Sequence, residues 1–416
     1  MRRGGRGCGE PRRRRLLAGV STNVMVLGFV SLLTDMSSEM IIPVLPLFLV
    51  SIGATGLIVG LVEGAAETTA SLLKVVSGWY SDRFRKRKAF ILAGYGSSAA
   101  VKPLLIIAAS AWQILGIRIA ERVGKGIRSA PRDALIADST ESRYTGRAFG
   151  FHKAMDTTGA ILGVILLLVV AFVLGVHAHD VYGADDFKVI FAVASIPAFV
   201  AVLVIILFVR EVPSTKEAVQ RTFLKGMRRL GRPFWLLMIV VMFFYLGEVN
   251  QAFFILKATF EGESFTIAIL LYLMFNIVFA ALSTPLGSLS DRLGRKPLIA
   301  LSFGLFAFTC VTMSVASSLW LLALGFATFG VYKAASEGIF KAYVLDVSVP
   351  DELRGTALGA FHTCVGLVML PGGIVVGLLW DSAGPGSAFL YGAAMAAVSV
   401  VLLLFLGPRR GPSPAA

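Results

Sequence analysis

Charged residues are scarce in this chain. They make up only 15% of its 416 residues, whereas hydrophobic residues make up 56% and the mean hydropathy is +0.79. Soluble domains average about 25% charged and about 45–50% apolar residues. The chain therefore has more apolar surface than a water-soluble core can cover. This composition excludes an ordinary soluble protein and predicts an integral membrane protein that crosses the bilayer many times.

Cysteine and histidine are also scarce, with three and four copies. Cys8 lies in the N-terminal tail, and Cys310 and Cys364 lie in apolar runs, so they predict neither a disulfide framework nor a metal site. The sequence contains no G-x-x-x-x-G-K-[ST] loop, which would hold nucleotide phosphates. It also has no spacing typical of a nucleophile beside a base. We therefore predict no enzyme, no ATP-driven pump, no cofactor and no metal.

Positive charge exceeds negative charge, with 39 Lys and Arg against 25 Asp and Glu, a formal net charge of +14. Most of these cations fall in short loops between apolar runs, where they set the orientation of membrane helices. We therefore predict no nucleic-acid partner. The predicted partners are the lipid bilayer, a small-molecule substrate and protons, and we expect a monomer.

The apolar runs divide the chain into twelve predicted spans, because a helix needs about 20 apolar residues to cross a bilayer. The spans are expected at roughly 22–48, 56–79, 89–110, 112–136, 148–174, 187–210, 233–257, 265–287, 297–316, 318–342, 355–379 and 385–407. The predicted domains are a basic disordered tail (1–21), two six-helix bundles (22–210 and 233–407), a linker (211–232) and a second tail (408–416).

The loops alternate in charge. If the N-terminus is cytoplasmic, the basic loops, such as residues 83–88 and the linker, all fall on the cytoplasmic side. The predicted outer loops at about 49–55 and 380–384 contain no Lys or Arg. By the positive-inside rule, we predict a multi-pass protein of the cell membrane with both termini in the cytoplasm.

One ten-residue pattern occurs twice, at residues 78–87 (GWYSDRFRKR) and 287–296 (GSLSDRLGRK). Both copies lie between two predicted spans, 209 residues apart. The same offset relates Glu39 to Glu248, and an offset of 208 relates Lys125 to Lys333. This repetition predicts two related halves, a common plan for secondary transporters.

With these motifs the sequence resembles the major facilitator superfamily over essentially its whole length. The family's signature, G-x-x-x-D-R-x-G-R-[RK], is complete in the second copy, whereas the first has Arg85 at the position of the second Gly. The resemblance implies an all-α integral membrane fold with two six-helix bundles related by pseudo-twofold symmetry. It also implies a central cavity lined by the first, fourth, seventh and tenth helices.

The resemblance further implies a cytoplasmic gate, a set of contacts that hold the cytoplasmic side closed and break during alternating access. Asp82 and Asp291 are expected near the N-termini of the eleventh and fifth helices, where the helix dipole favours negative charge. Arg87 and its basic neighbours are interpreted as determinants of topology. The predicted gate residues are Gly78, Asp82, Arg83, Gly287, Asp291, Arg292, Gly294 and Arg295.

Ionisable side chains recur within the predicted spans, where each costs about 2.5–3.5 kcal/mol unless it faces a cavity or a partner. Asp35 and Glu39 are four residues apart and share one helix face. We predict that the proton-coupling carboxylates are Asp35, Glu39 and Glu248. The predicted substrate-cavity residues are Arg118, Arg122, Lys125, Lys333 and Glu337. An intrahelical pair between Lys333 and Glu337 remains an open alternative.

The function predicted from these features is secondary active transport of a small organic solute by alternating access, with proton-coupled efflux as the first choice. Drug-efflux subgroups carry G-x-x-x-G-P in the fifth helix, but no Pro follows Gly159–Gly163 here, which argues against drug export. The alternative is proton-coupled uptake or exchange of an anionic metabolite, which the basic fourth span favours. A non-transporting membrane sensor is the remote alternative.

Overall fold

The computed structural model describes residues 21–84, 86–141, 144–175, 184–212, 226–347, 349–350 and 353–407. Over these ranges the chain forms twelve helical spans, three of which are broken into two segments. They are α1 (Thr22–Ile41 and Leu45–Ser51), α2 (Gly56–Phe84), α3 (Arg87–Val101 and Leu104–Ile107), α4 (Ala111–Asp138), α5 (Thr145–Val173), α6 (Ala184–Phe208), α7 (Arg232–Leu246 and Gln251–Phe260), α8 (Phe265–Leu293), α9 (Arg295–Val315), α10 (Leu319–Asp346), α11 (Arg354–Ala383) and α12 (Pro385–Leu406).

The three broken spans have identifiable causes. Pro43 and Pro103 lie at the breaks of α1 and α3, where proline removes a backbone donor and crowds the preceding turn. The break in α7 begins at Gly247, and Asn250 starts the next segment by accepting a hydrogen bond from the backbone N–H of Ala252. Glu248 lies inside this non-helical stretch. Such backbone is tolerated at membrane depth where it lines a cavity or is buried in protein.

Eleven of the twelve spans are long and apolar enough to cross a membrane. The exception is α4, which has 28 residues but carries several charged side chains. Arg118, Glu121 and Arg122 of this helix are buried in the protein. Packing within the protein thus keeps these three charges away from lipid, where each would be costly.

The spans form two six-helix bundles, α1–α6 and α7–α12. In the first bundle α1 packs on α5 and α6, and α3 packs on α4; in the second, α7 packs on α11 and α12, and α9 packs on α10. Between the bundles, α2 contacts α11 and α5 contacts α8. Residues 1–20 and 408–416 of the predicted tails and residues 213–225 of the predicted linker lie outside the described residues, so the domain boundaries stay predictions.

The two membrane faces differ in how closely the bundles meet. We call the side with the α2–α3 and α8–α9 loops the basic face and the other side the opposite face. Near the opposite face, α2 and α11 cross so closely that a methyl group on Gly60 would lie 2.0 Å from the carbonyl oxygen of Gly373. Only glycine permits this approach. The Asp381 carboxylate of α11 accepts hydrogen bonds from the backbone N–H groups of Gly56 (2.7 Å) and Leu57 (2.8 Å) at the start of α2.

Aromatic rings add a second contact between the bundles at the opposite face. The Phe187 ring of α6 lies 5.7 Å from Phe48 of α1 and 6.5 Å from Phe265 of α8, measured between centroids. All three side chains are fully buried. The bundles are therefore closed against each other at the opposite face.

Candidate functional site

A cavity of about 700 Å³ lies between the two bundles. A recess of about 510 Å³ shares Lys153, Phe279, Glu337 and Lys341 with it and extends to Asp291 in the α8–α9 motif. The cavity thus opens toward the basic face. Its charged lining residues are Lys74, Arg122, Lys125, Arg128, Arg132, Lys153, Lys333 and Lys341, with Asp35, Glu39, Glu63, Glu67, Asp133, Asp156, Glu248 and Glu337.

Two ion pairs hold α2 to α4 at the cavity wall. Arg118, which is 1% exposed, lies 3.0 Å from Glu63 of α2 and 2.6 Å from Glu121 on its own helix. One turn further, Arg122 lies 3.0 Å from Glu67. Arg118 and Arg122, both predicted as substrate-cavity residues, are therefore already neutralised by carboxylates. Arg122 lines the cavity, and Arg118 lies behind the wall.

In the second bundle, the Glu248 carboxylate is bound by two side chains of α10. The ammonium group of Lys333 lies 2.6 Å from Glu248 Oε1, and the hydroxyl of Tyr332 donates a hydrogen bond of 2.8 Å to the same oxygen. Lys333 therefore pairs with Glu248 across helices, and the alternative pair with Glu337 is not formed. Glu337 instead faces Lys153 of α5, 3.9 Å away across the interface between the bundles.

Glu39 is bound differently from Glu248. Its carboxylate accepts a hydrogen bond of 2.7 Å from the hydroxyl of Tyr272, which is 1% exposed and belongs to α8 in the other bundle. Within the described part of the chain, neither Glu39 nor Asp35 has a cation within 4.0 Å of its carboxylate. Both line the cavity, one helical turn apart. The structure therefore brings the predicted carboxylates Asp35, Glu39 and Glu248 to one cavity.

Lys125 also projects into the cavity, where it is exposed. Among the described residues, no carboxylate lies within 4.0 Å of its ammonium group. Of the five predicted substrate-cavity residues, Lys125 is thus the one cation that keeps an unpaired charge. It remains available to a solute.

The second copy of the repeated motif ties α8 and α9 to α10. Gly294 has a backbone φ of 95°, a conformation that side chains with a Cβ rarely adopt, and this allows the sharp turn between the helices. Arg295 lies 2.5 Å from Asp346 and donates to the carbonyl oxygen of Ala342 at 2.8 Å. Asp291 is exposed and lies 3.6 Å from Arg295, so in this conformation it is paired within the motif.

The remaining gate residues differ in their surroundings. A methyl group on Gly78 would lie 3.3 Å from Ala130 of α4, which fits the expected close approach, whereas Gly287 has open space around it. Arg292 is exposed. The side chains of Asp82 and Arg83 lie outside the described residues.

The predicted site did not include four residues that contribute to this region: Arg87, Tyr272, Lys74 and Lys341. Arg87 is not only a basic loop residue, because it lies 3.0 Å from Asp138, the equivalent of the Arg295–Asp346 pair at the same 208-residue offset. That offset was the signal available in the sequence. Tyr272 was also missed, since no local pattern distinguishes it from other residues of apolar spans. The cavity lysines Lys74 and Lys341 were not among the predicted substrate-cavity residues, although each is an ionisable residue within a predicted span and Lys341 continues the row of Lys333 and Glu337 at a spacing of four residues.

Comparison with known proteins identifies the family. The sequence profile of the Major Facilitator Superfamily matches residues 27–275 and 237–416. The chain belongs to this superfamily. It is 39% identical over 393 residues to an MFS-type transporter of Methanocaldococcus jannaschii, covering 93% of this chain and 95% of the relative. It is 26% identical over 316 residues to the multidrug resistance protein MdtG of Proteus mirabilis, covering 72% of this chain and 75% of that protein.

Solved structures show the same fold. The crystal structure of the D323A mutant of the nucleoside transporter NupG matches the present structure with a TM-score of 0.78 at 14% sequence identity. The match covers 92% of this chain and 99% of the NupG chain. The predicted family and the predicted fold of two six-helix bundles are therefore confirmed. The chain is a multi-pass membrane transporter and not an enzyme.

Proposed function

We propose that this transporter exports a small organic solute in exchange for protons by alternating access. The observation that carries the proposal is the pair formed by Glu39 and Tyr272, a carboxylate in the central cavity that is hydrogen-bonded across the two bundles at 2.7 Å. Carboxylates inside a membrane protein commonly mark proton pathways. The similarity to MdtG, which is named as a multidrug resistance protein, supports export over uptake.

Protonation of Glu39 would act on the contact between the bundles. The ionised carboxylate is a strong acceptor for the hydroxyl of Tyr272, and adding a proton removes the charge that strengthens this bond. A loosened bond lets α1 and α8 separate, so the protonation state biases the equilibrium between cavity orientations. Asp35, one turn away on the same helix face, provides a second carboxylate without an ion-pair partner among the described residues.

The proposed transport cycle also depends on how the protein is oriented in the membrane. We place the basic face and both chain ends in the cytoplasm of a cell membrane, following the positive-inside rule. In the described conformation the cavity then faces the cytoplasm, and the contacts of Gly60 with Gly373 and of Asp381 with the start of α2 close the outside. Export requires these contacts to open after the solute has bound.

A second candidate function is uptake or exchange of an anionic metabolite by symport with protons. The unpaired charge of Lys125 in the cavity favours it. The two candidates differ in the sign of coupling, because an antiporter moves solute against the proton flow and a symporter moves it with the flow. The direction of the driving gradient therefore distinguishes them.

The test is a transport assay with purified protein in proteoliposomes and a panel of labelled organic solutes. Antiport predicts that an acidic lumen drives solute accumulation and that a protonophore abolishes it. Accumulation driven only by an acidic exterior would establish the symport alternative. Transport with equal rates under both gradients, for each solute that is transported, would refute proton coupling.

A further inference from the structure

We propose that the cargo of this transporter carries an anionic group and that Lys74 and Lys341 bind this group from opposite bundles, with Lys125 deeper in the cavity. The proposal rests on the proposed transport function and names the chemical class of its substrate. Carboxylate, sulfonate and phosphate groups share the required chemistry. All three lysines line the central cavity.

Four of the eight Lys and Arg side chains that line the cavity are already paired with carboxylates. The cavity cations Arg122, Lys333 and Arg132 each lie within 3.0 Å of a carboxylate, and Lys153 lies 3.9 Å from Glu337. None of these pairs needs a solute to balance it. They form the fixed wall of the cavity.

Four cavity cations remain without a carboxylate within 4.0 Å among the described residues: Lys74, Lys125, Arg128 and Lys341. Of these, Arg128 donates to the hydroxyl of Ser98 and lies over the ring of Tyr95 at 4.4 Å, so it faces the protein. The three lysines have no such partner there. On the acidic side, Asp35, Glu39 and Asp156 have no Lys or Arg within 4.0 Å among the described residues, and the nearest basic group to Asp156 is His152 at 3.5 Å, which is a cation only when protonated. Four unpaired cations therefore face three unpaired carboxylates, which leaves an excess of positive charge.

Two of the three lysines lie in opposite bundles. Lys74 belongs to α2 of the first bundle, and Lys341 belongs to α10 of the second bundle. Both lie in the parts of their helices that run toward the basic face, on the side where the cavity opens. Both side chains line the same cavity, one from each bundle. Each is partly buried.

Two ammonium groups repel each other, and the repulsion is larger beside low-dielectric protein than in water. An ammonium group is a compact point charge that suits phosphate or carboxylate oxygens. An anion placed between Lys74 and Lys341 adds two attractions over shorter distances, and these outweigh the repulsion between the two ammonium groups. Without an anion, the same repulsion favours separated bundles at the basic face.

This arrangement links cargo binding to movement. An anion held by one lysine from each bundle pulls α2 and α10 together at the open side of the cavity. A neutral or cationic solute has no such effect. A bound ligand can shift a conformational equilibrium only through its different affinity for the two states, and the bridged anion provides that difference.

The test measures binding by the purified full-length protein with probes matched in shape. The three sets are naphthalene-1-sulfonate with its sulfonamide, 1-naphthoate with 1-naphthamide, and 1-naphthyl phosphate with 1-naphthol, with 1-naphthylmethylammonium as the cationic probe. At least one anion should bind about tenfold more tightly than its neutral partner, since tenfold corresponds to one modest charge contact. Lys74→Gln and Lys341→Gln should each lower that affinity about tenfold, and Lys341→Arg should retain it.

The matched control is Lys188→Gln. Lys188 lies at the start of α6 near the opposite face, outside the cavity, and pairs with Asp185 at 2.6 Å, so its removal should leave anion affinity unchanged. Thermal unfolding of each variant shows that the fold is retained. The proposal is overturned if no set prefers its anion, or if the anion affinity is the same in the Lys74→Gln and Lys341→Gln variants as in the parent protein.

The same proteins separate this proposal from the proposed function. If pH-driven transport of a neutral or cationic probe is found with no anion preference, only the anionic cargo is refuted. If anion binding depends on Lys74 and Lys341 but no pH gradient drives transport, only the proton-coupled function is refuted.

Discussion

The two halves of this transporter place the same carboxylate and lysine on equivalent helices but pair them differently. Glu248 and Lys333 of the second half are bound to each other at 2.6 Å within one bundle. Their counterparts in the first half are Glu39 and Lys125. Glu39 is instead hydrogen-bonded to Tyr272 of the other bundle, and Lys125 has no carboxylate within 4.0 Å in the described chain.

The difference shows how a duplicated scaffold can carry two kinds of chemistry. A pair closed within one bundle moves as a unit and adds stability to that bundle. A carboxylate bound across the interface must change its partner when the bundles move. The first half therefore supplies the chemically active carboxylate in our proposal, and the second half supplies a fixed counterpart.

The largest expected effect comes from removing the charge of the first-half carboxylate. Glu39→Gln should lower gradient-driven transport by roughly a hundredfold, which corresponds to about 2.7 kcal/mol of lost coupling, while leaving counterflow exchange intact. Glu248→Gln should lower driven transport less than about tenfold. Both are measured in proteoliposomes with an imposed pH gradient. Unchanged driven transport in Glu39→Gln would refute the assigned role of Glu39.

The second prediction concerns the stability of the second-half pair. Glu248→Gln leaves the ammonium group of Lys333, which is 29% exposed, without its carboxylate. Because breaking a fully buried pair costs about 3–5 kcal/mol, this partly exposed one should cost about 2 kcal/mol. The double variant Glu248→Gln with Lys333→Met should recover most of the loss. Thermal unfolding in detergent measures it, and equal melting temperatures for the single and double variants would contradict the prediction.

The third prediction compares the α2–α11 contact with its symmetry mate, the α5–α8 contact. Gly60 has Ile269 as its counterpart at the 209-residue offset, so only the first half permits the close crossing. Gly60→Val should force α2 and α11 apart at the opposite face. A cysteine replacing the buried Val376 of the cavity wall should then be labelled from that face about tenfold faster.

The control for this variant is Gly304→Val, because Gly304 has no heavy atom within 4 Å of its added Cβ position. It should leave the labelling rate of the Val376 cysteine unchanged. An equal labelling rate in Gly60→Val and Gly304→Val would show that the glycine crossing does not close the opposite face.

The smallest expected effect comes from the two tyrosines that donate to the carboxylates. Tyr272→Phe removes a hydrogen bond between the bundles, and Tyr332→Phe removes one within a bundle. Each bond contributes about 1 kcal/mol. Tyr272→Phe should therefore change the ratio of driven transport to exchange about fivefold. Tyr332→Phe should change only the melting temperature, and identical behaviour of the two variants would remove the distinction between the halves.

Much of the fold could be predicted because membrane insertion depends on local composition. The run of apolar residues in α6 indicates a segment inside the bilayer. The charged loop after α2 indicates a segment outside it. Helix ends were less predictable, since α8 continues to Leu293, well past the expected end at 287. The last residues of α8 are mostly polar and lie beyond its apolar run, but their backbone hydrogen bonds continue the helix. A prediction based on apolar residues therefore ends the helix too early.

The cavity residues were predictable as a set but not in their pairing. Lys333 and Glu337 share a helix face, and their spacing of four residues fits an intrahelical pair. The break in α7 instead places the Glu248 carboxylate within reach of Lys333. A sequence pattern describes one helix at a time, whereas a salt bridge between helices depends on how two helices cross.

The sequence by itself determined the membrane class, the twelve spans and the internal repeat, because each follows from composition and spacing along the chain. Tertiary structure alone decided which charges are neutralised and which remain free. It showed that Arg118 and Arg122 belong to the wall, that Glu39 is tied to the other bundle, and that Lys74 and Lys341 face one cavity. The physical reason is that electrostatic interaction depends on distance in space, and residues far apart in the chain become neighbours only when the helices pack.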